Sequence, residues 1–232
     1  ELIFEDQKRY TEMMDYYGMW AHQIKTPIAA MRILVQSGMD REENEENQKL
    51  FRQLQMELFK TEQYVEMVLS YLKIGDIAKD MVLERCDLGK VVRQSVKKYS
   101  RLFILQKLSL EMGEIAEIVL TDEKWLSFVV EQILSNALKY TKSGSVSIYL
   151  EQEGVLVIKD TGIGISAEDL PRIMEKGYTG YNGRIDKRST GIGLYLCKKV
   201  MDNLHHQLRI DSEDGKGTKV VLDLRRTQLD LE

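Results

Sequence analysis

The sequence predicts an α+β chain, with an antiparallel helical hairpin that dimerises ahead of an α/β-sandwich domain. Three observations predict it. Apolar residues recur at spacings of three and four through two stretches before Gly75-Asp76. Beyond that dipeptide the pattern alternates between helix-like and strand-like runs. Within this second part, Asn136 and Lys139 share one predicted helix, and two glycine-punctuated segments follow, Asp160–Ile165 and Ser189–Leu194.

The hairpin rests on two stripes. Tyr17, Ala21, Ile24, Ile28, Met31 and Val35 form the first; Phe51, Leu54, Leu58, Thr61, Val65, Val68 and Leu72 form the second. Alternating steps of three and four are the seam of a coiled coil. Between them Ser37-Gly38-Met39-Asp40 reads as the helix break. The acidic run Glu42, Glu43, Glu45, Glu46 reads as a solvated helix start, favoured by the helix dipole. One hairpin leaves apolar flanks uncovered, so a four-helix homodimer is expected. Residues 1–76 form this domain, Gly75-Asp76 is the hinge, and residues 77–232 form the second domain.

Strands are expected at Val82–Leu88, Leu108–Met112 and Glu117–Leu120, with an amphipathic helix over Leu88–Leu105. Thr121-Asp122 caps the helix that carries Asn136. Val146–Leu150 and Val155–Lys159 read as a hairpin, Thr190–Leu204 as a helix entered through glycines, and Leu208–Asp211 and Lys219–Leu224 as closing strands. Helices on one face of a mixed sheet give the sandwich. Glu175–Arg188 holds three glycines and no apolar period, so it reads as a mobile loop of functional length. His205 and His206 end a helix, where they would serve its dipole.

The 232 residues carry a net charge of −4 and 43% hydrophobic side chains, which supports real cores and leaves no general nucleic-acid footprint. Cys86 and Cys197 are far apart and form no CxxC pair, so a reduced interior is expected. No apolar run is long enough to span a membrane. The chain starts at Glu1 without an initiator methionine and ends in Leu231-Glu232, which reads as a cloning scar. It is therefore read as a soluble fragment, with a membrane segment expected upstream.

The chemistry follows from residue types. A carboxylate such as Asp160 accepts from an adenine amino group. The amide of Asn136 can ligate Mg²⁺ and Lys139 can meet phosphates. Gly191 and Gly193 precede the helical stripe Leu194, Leu196, Val200, Leu204, which sets free N–H groups at a positive helix end. Upstream, His22 lies one residue from the seam position Ala21 and so points to the helix flank. Pro27 cannot donate to the carbonyl of Gln23 and loosens the helix just after His22. A nucleotide site plus a separate exposed histidine suggests that ATP phosphorylates the histidine.

These residues resemble a known family, the cytoplasmic catalytic core of bacterial sensor histidine kinases. His22–Pro27 resembles its H-box, Asn136–Thr141 its N-box, Asp160–Gly164 and Thr190–Gly193 its first two glycine boxes, and Gly215–Thr218 its last. Trp20–Pro27 and Lys176–Arg184 are similar to a narrower group, the intramembrane-sensing kinases of Gram-positive bacteria that work with peptide-antibiotic transporters. The resemblance implies an ATP-binding domain of the gyrase, Hsp90 and histidine-kinase type. It implies ATP and Mg²⁺ as cofactors and His22 as the phosphoacceptor. Asn136 would bind Mg²⁺, Lys139 phosphate, and Tyr140 and Asp160 the adenine. Gly162, Gly164, Thr190, Gly191 and Gly193 would shape the pocket, with Arg184 and Lys187 neutralising phosphate from the loop. Thr26 would position water for the reverse, phosphatase reaction. The implied partners are a second copy, a cognate response regulator and, through a membrane part, an ABC transporter. The full-length protein would sit at the cytoplasmic side of the membrane.

Two positions depart from the family pattern. Gln23 replaces the acid that follows the histidine, and an amide cannot serve as general base. Met174 stands where a Phe is usual. Two other functions compete. A hydrolytic ATPase of the gyrase and Hsp90 type needs a Glu four residues before the Asn, where this chain has Gln132. A non-catalytic ATP-binding dimeric scaffold would keep the motifs without labelling.

Overall fold

The computed structural model describes the backbone of residues 2–73, 81–180 and 190–226. It falls into two compact units, Glu1–Gly75 and Asp76–Glu232. The hinge expected at Gly75-Asp76 lies outside the described residues, as does most of the loop expected at Glu175–Arg188.

The first unit is two helices, α1 (Leu2–Arg41) and α2 (Glu45–Lys73). Cross-helix pairs show that they run antiparallel. Gln36 Nε2 donates to Gln55 Oε1 at 2.7 Å, Arg32 faces Glu62 at 3.5 Å, and Lys25 faces Glu66 at 3.7 Å. One residue number falls as the other rises. Helix α1 runs through Pro27 and also through Ser37–Asp40, where a break was expected. Gly38 serves packing instead, because a Cβ there would lie 2.7 Å from the Phe51 ring. Gln36 Nε2 also bonds Asp40 Oδ1 one turn on, at 2.7 Å. The turn comes at Glu42–Asn44, where Asn44 Oδ1 accepts the N–H groups of Glu46 (2.8 Å) and Asn47 (3.4 Å). That satisfies two of the orphan donors that open α2. Glu45 and Glu46 stand in its first turn, as the acidic start requires.

Burial divides the α2 stripe in two, and the α1 stripe less sharply. In α1, Ile28 is buried and Ile24 and Val35 half-buried, whereas Tyr17 and Met31 are exposed. In α2, Phe51, Leu58, Val65 and Leu72 are half-buried, whereas Leu54, Thr61 and Val68 are exposed. The exposed set of α2 repeats every seven residues. One heptad position therefore faces the other helix of the hairpin, and the second is left at the surface of a single chain.

The second unit begins with β1 (Glu84–Asp87), α3 (Leu88–Gln106), β2 (Ser109–Met112), β3 (Ile118–Thr121) and α4 (Glu123–Tyr140). It continues with β4 (Ser145–Gln152), β5 (Val155–Asp160), α5 (Gly193–Asn203), β6 (Gln207–Glu213) and β7 (Gly217–Asp223). Strands β1 and β3 pair antiparallel; the main sheet has the order β2-β4-β5-β7-β6, with only β2 and β4 parallel. Strand β1 is shorter than expected for two reasons. Val82 N–H donates to Asp122 Oδ2 (2.9 Å) rather than to a ladder, and Asp87 caps α3 by accepting from Lys90 N–H (2.8 Å). Asp122 caps α4 as expected, accepting from Trp125 N–H at 2.9 Å.

Central strand β5 buries Val155, Leu156, Val157 and Ile158 in succession, so both its faces are covered. Val155, Val157 and Val221 form a small cluster against Tyr149. The helices contribute the larger core, including Leu126, Val130, Leu134, Leu196 and Val200. Both cysteines are buried and free, and burial raises each thiol's pKa. No helix among the described residues is long and apolar enough to cross a membrane.

Of the two histidines after α5, His206 does not serve its dipole as expected. His205 takes a left-handed φ of 56°, which stops the helix. His206 is 3% exposed, with Nε2 3.1 Å from Thr121 Oγ1. Burial, reinforced by the nearby Arg226 charge, pushes its pKa down to about 4. It is neutral at pH 7 and gives a helix end no charge.

Candidate nucleotide site

The site is built where β5, the C-terminal half of α4 and the β6–β7 turn converge. Strand β5 delivers Asp160, which is 7% exposed. Its Oδ1 accepts the N–H groups of Gly162 at 2.8 Å and Thr218 at 3.3 Å. Burial raises this carboxyl's pKa above the ordinary range; the two N–H groups and the Thr141 hydroxyl oppose that shift. The loop after Asp160 is tied on both sides. Ile163 N–H donates to Tyr140 O (3.1 Å), Gly215 N–H to Ile163 O (2.7 Å), and Ile165 N–H to Ser212 Oγ (2.9 Å).

The glycines are required by close approach. A Cβ on Gly162 would lie 2.6 Å from Tyr140 O and 2.8 Å from Asp160 Oδ1. Gly217 has φ 109°, and a Cβ there would lie 2.1 Å from Asp160 O. The first and last glycine motifs thus form one cradle around the carboxyl group, although more than fifty residues separate them.

Helix α4 joins this cradle to the second glycine motif. Gln132, Asn136 and Tyr140 are four apart and share a face. At one end the Tyr140 carbonyl meets Ile163 N–H. At the other, a Cβ on Gly193 would lie 2.5 Å from Gln132 Nε2. Asn136 stands midway, half-buried, and its amide has no hydrogen-bond partner among the described residues. Such a donor set fits a hydrated divalent cation through the amide oxygen. Lys139 is exposed, with Nζ 5.1 Å from the Tyr140 ring centroid. Gln132 is an amide beside Gly193, so no general base stands at that point.

The second motif enters helix later than expected. Gly191 has φ 65°, a left-handed conformation that no α-helix continues through, and α5 starts at Gly193. Thr190 is exposed, and its Oγ1 accepts Ile192 N–H at 3.4 Å. Gly164, with φ 70°, packs on the Glu213 carbonyl.

The structure therefore brings together Asn136, Lys139, Tyr140, Asp160, Gly162 and Gly164, and joins Gly193 to them through Gln132. Arg184 and Lys187 lie outside the described residues. His22 lies in α1, but its side chain is outside the described residues; Gln23 and Thr26 are exposed beside it. Sequence reasoning gave Thr141 and Thr218 no role of their own. Both follow a motif's recognisable residues and act through loop geometry, which leaves no periodic signal.

Comparison with known proteins bears on the fold and the family. Residues 121–228 match the family of histidine kinase-, DNA gyrase B- and HSP90-like ATPases. Sensor histidine kinase YxdK of Bacillus subtilis is 32% identical over 94% of this chain and 66% of its own length. Sensor protein kinase GraS of Staphylococcus aureus is 35% identical over 88% of this chain and 58% of its own length. The chain thus spans only part of the curated relatives it matches. The crystal structure of full-length ShkA in complex with AMPPNP shares the fold, with a TM-score of 0.62 at 19% identity over 90% of this chain and 45% of that one. Both relatives come from Gram-positive bacteria, in line with the narrower resemblance. With its helical hairpin, its mixed-sheet ATPase-type domain and such relatives over most of its length, this chain belongs to the bacterial sensor histidine kinases.

Proposed function

We propose that this chain phosphorylates its own His22 from Mg-ATP and passes the phosphoryl group to an aspartate of a cognate response regulator. The observation that carries the reading is the buried Asp160 carboxyl, held by Gly162 and Thr218 beside a helix that presents Asn136, whose amide has no hydrogen-bond partner among the described residues. Asp160 Oδ2, which takes neither backbone N–H, accepts from the adenine amino group, and Tyr140 lines the base. Lys139 meets the phosphates, Gly162, Gly164, Thr190, Gly191 and Gly193 shape the pocket, and Arg184 and Lys187 add positive charge. Mg²⁺, held through Asn136, neutralises phosphate charge when bound.

His22 acts as a neutral imidazole. Its free nitrogen lone pair attacks the γ-phosphorus, an N–P bond forms, the P–O bond to ADP breaks, and the ring's other N–H proton must leave. The test of the whole reading is incubation with γ-labelled ATP and Mg²⁺. Acid-labile label on the chain supports it, and no label on folded protein rejects it in favour of a scaffold.

Gln23 can only accept a hydrogen bond from the departing proton. Gln23→Glu supplies a carboxylate, so its autophosphorylation rate should equal or exceed the wild-type rate. General-base assistance contributes about 10²–10⁴-fold where geometry is ideal, so even poor geometry leaves room for a gain. Initial labelling rates decide this; a tenfold fall in a folded variant would give the amide a specific role.

Thr26 lies four residues after His22 and is exposed on the same helix face. A phosphoaspartate docked at His22 lies near its hydroxyl, which orients the attacking water in the reverse reaction. Thr26→Ala should label normally yet slow regulator dephosphorylation about tenfold, as loss of an orienting group does. Decay of purified phosphorylated regulator with each variant and ADP measures it; equal decay leaves Thr26 only a bond to its own helix.

The exposed heptad position of α2, Leu54, Thr61 and Val68, is covered by a second copy in a four-helix homodimer. In the full-length protein this part lies on the cytoplasmic side of the membrane. An upstream membrane part meets an ABC transporter for peptide antibiotics.

A further inference from the structure

A cluster outside every motif role assigned above sits against Gly191. The Tyr178 hydroxyl donates to Asp169 Oδ1 at 2.5 Å. The Arg172 guanidinium stacks over the same ring, 4.2 Å from its centroid, and Arg172 Nε donates to Glu175 Oε2 at 3.1 Å. Tyr178 N–H donates to Glu175 O at 3.2 Å, and the neighbouring Gly177 N–H donates to Gly191 O at 2.9 Å. Contact at Gly191 is tight: a Cβ there would lie 2.4 Å from Gly177 C and 2.6 Å from Tyr178 O.

The tyrosine is thus fixed at its hydroxyl, its ring face and its backbone, and its carbonyl takes the space that a side chain at Gly191 would need. Stability alone does not account for this. Arg172 and Glu175 are more than half exposed, and ion pairs of that kind contribute little. What the arrangement does fix is direction. The N–H groups around Gly191 and Gly193 can meet phosphate oxygens only if the left-handed turn at Gly191 is held in place.

We propose that Tyr178, clasped by Asp169 and Arg172, is a positioning residue for the phosphate end of the nucleotide, acting through Gly191. This rests on the ATP reading above. The clasp is joined to Gly191, whereas Asp160 is held by Gly162 and Thr218, so loss of the clasp should be felt by the phosphates and not by the base.

The experiment compares ATP, titrated by calorimetry, with AMP, titrated by chemical-shift changes at millimolar concentration. Tyr178→Phe keeps the ring over Arg172 and loses the Asp169 bond; Tyr178→Ala loses both. ATP affinity should fall about threefold and about tenfold respectively, since misplacement of positioning groups by a fraction of an ångström has effects of this order. AMP affinity should stay within about twofold, because the Asp160 cradle is untouched. Equal losses for ATP and AMP would show a merely structural role and overturn the proposal. So would wild-type ATP affinity in both variants. If Tyr178→Ala does not fold, Tyr178→Phe decides by the same comparison. A folded wild-type chain that binds no ATP would remove the parent reading, which is a different result from variants that match a wild type that does bind.

Discussion

His22→Gln should lose its label entirely while binding ATP within about twofold of wild type, the scatter expected of distant independent sites. The nucleophile is the lone pair of a neutral ring nitrogen. A glutamine amide nitrogen has its pair delocalised into the carbonyl and cannot attack phosphorus. Glutamine is a good helix former, so α1 keeps its conformation. The residues argued to hold ATP all belong to the other compact unit, which explains why binding survives. Scintillation counting after acid and after alkali separates the outcomes, because a phosphohistidine is lost in acid and persists in alkali. Label on the variant equal to wild type would sink the assignment of His22. Label that survives acid on wild type would place the phosphoryl group on a hydroxyl instead.

The features legible in the sequence were those set by neighbours in the chain. Asp122 at a helix start, the three-four stripes and the glycine spacings all report local geometry, and each reappears in the fold. What the sequence hid depends on who meets whom across the chain. Gly38 looks like a breaker until Phe51 is known to lie against it. His206 looks like a dipole partner until the turn into β6 carries it to Thr121. The stripes are right as stripes, but which heptad position faces inward depends on how the second helix packs. In the site, Asp160 and Gly162 were readable as neighbours. That Gly217 and Thr218 close the same cradle is a consequence of β5 pairing with β7. Likewise the contact of Gln132 with Gly193 needs α4 and α5 side by side, which no spacing along one helix reveals.

Asp160→Asn should weaken ATP binding about tenfold to a hundredfold while leaving the empty protein as stable as wild type, or more so, at pH 7. The binding loss follows from donor–acceptor matching. The amide oxygen of Asn takes over the two N–H groups of Gly162 and Thr218 that now meet Oδ1. Its NH₂ then faces the adenine amino group, donor against donor. Losing a hydrogen bond to a charged acceptor costs about 1.5–3 kcal/mol, which gives the stated range. The stability gain follows from the raised pKa of the buried carboxyl. A carboxyl whose folded-state pKa lies above its unfolded value favours folding most below the unfolded pKa, near about 3.9. That contribution is lost as pH rises through the folded value. At neutral pH the charged carboxylate is therefore a liability in the empty domain, which asparagine removes. The advantage of the variant should narrow as pH falls through the raised folded-state value, where wild-type Asp160 becomes protonated too. Calorimetric ATP titrations and melting curves at pH 7 and pH 5 test both halves. Wild-type ATP affinity would remove Asp160 from the adenine contact. A melting point several degrees lower would mean that the carboxylate itself, not merely an acceptor at Oδ1, holds the glycine loop in place.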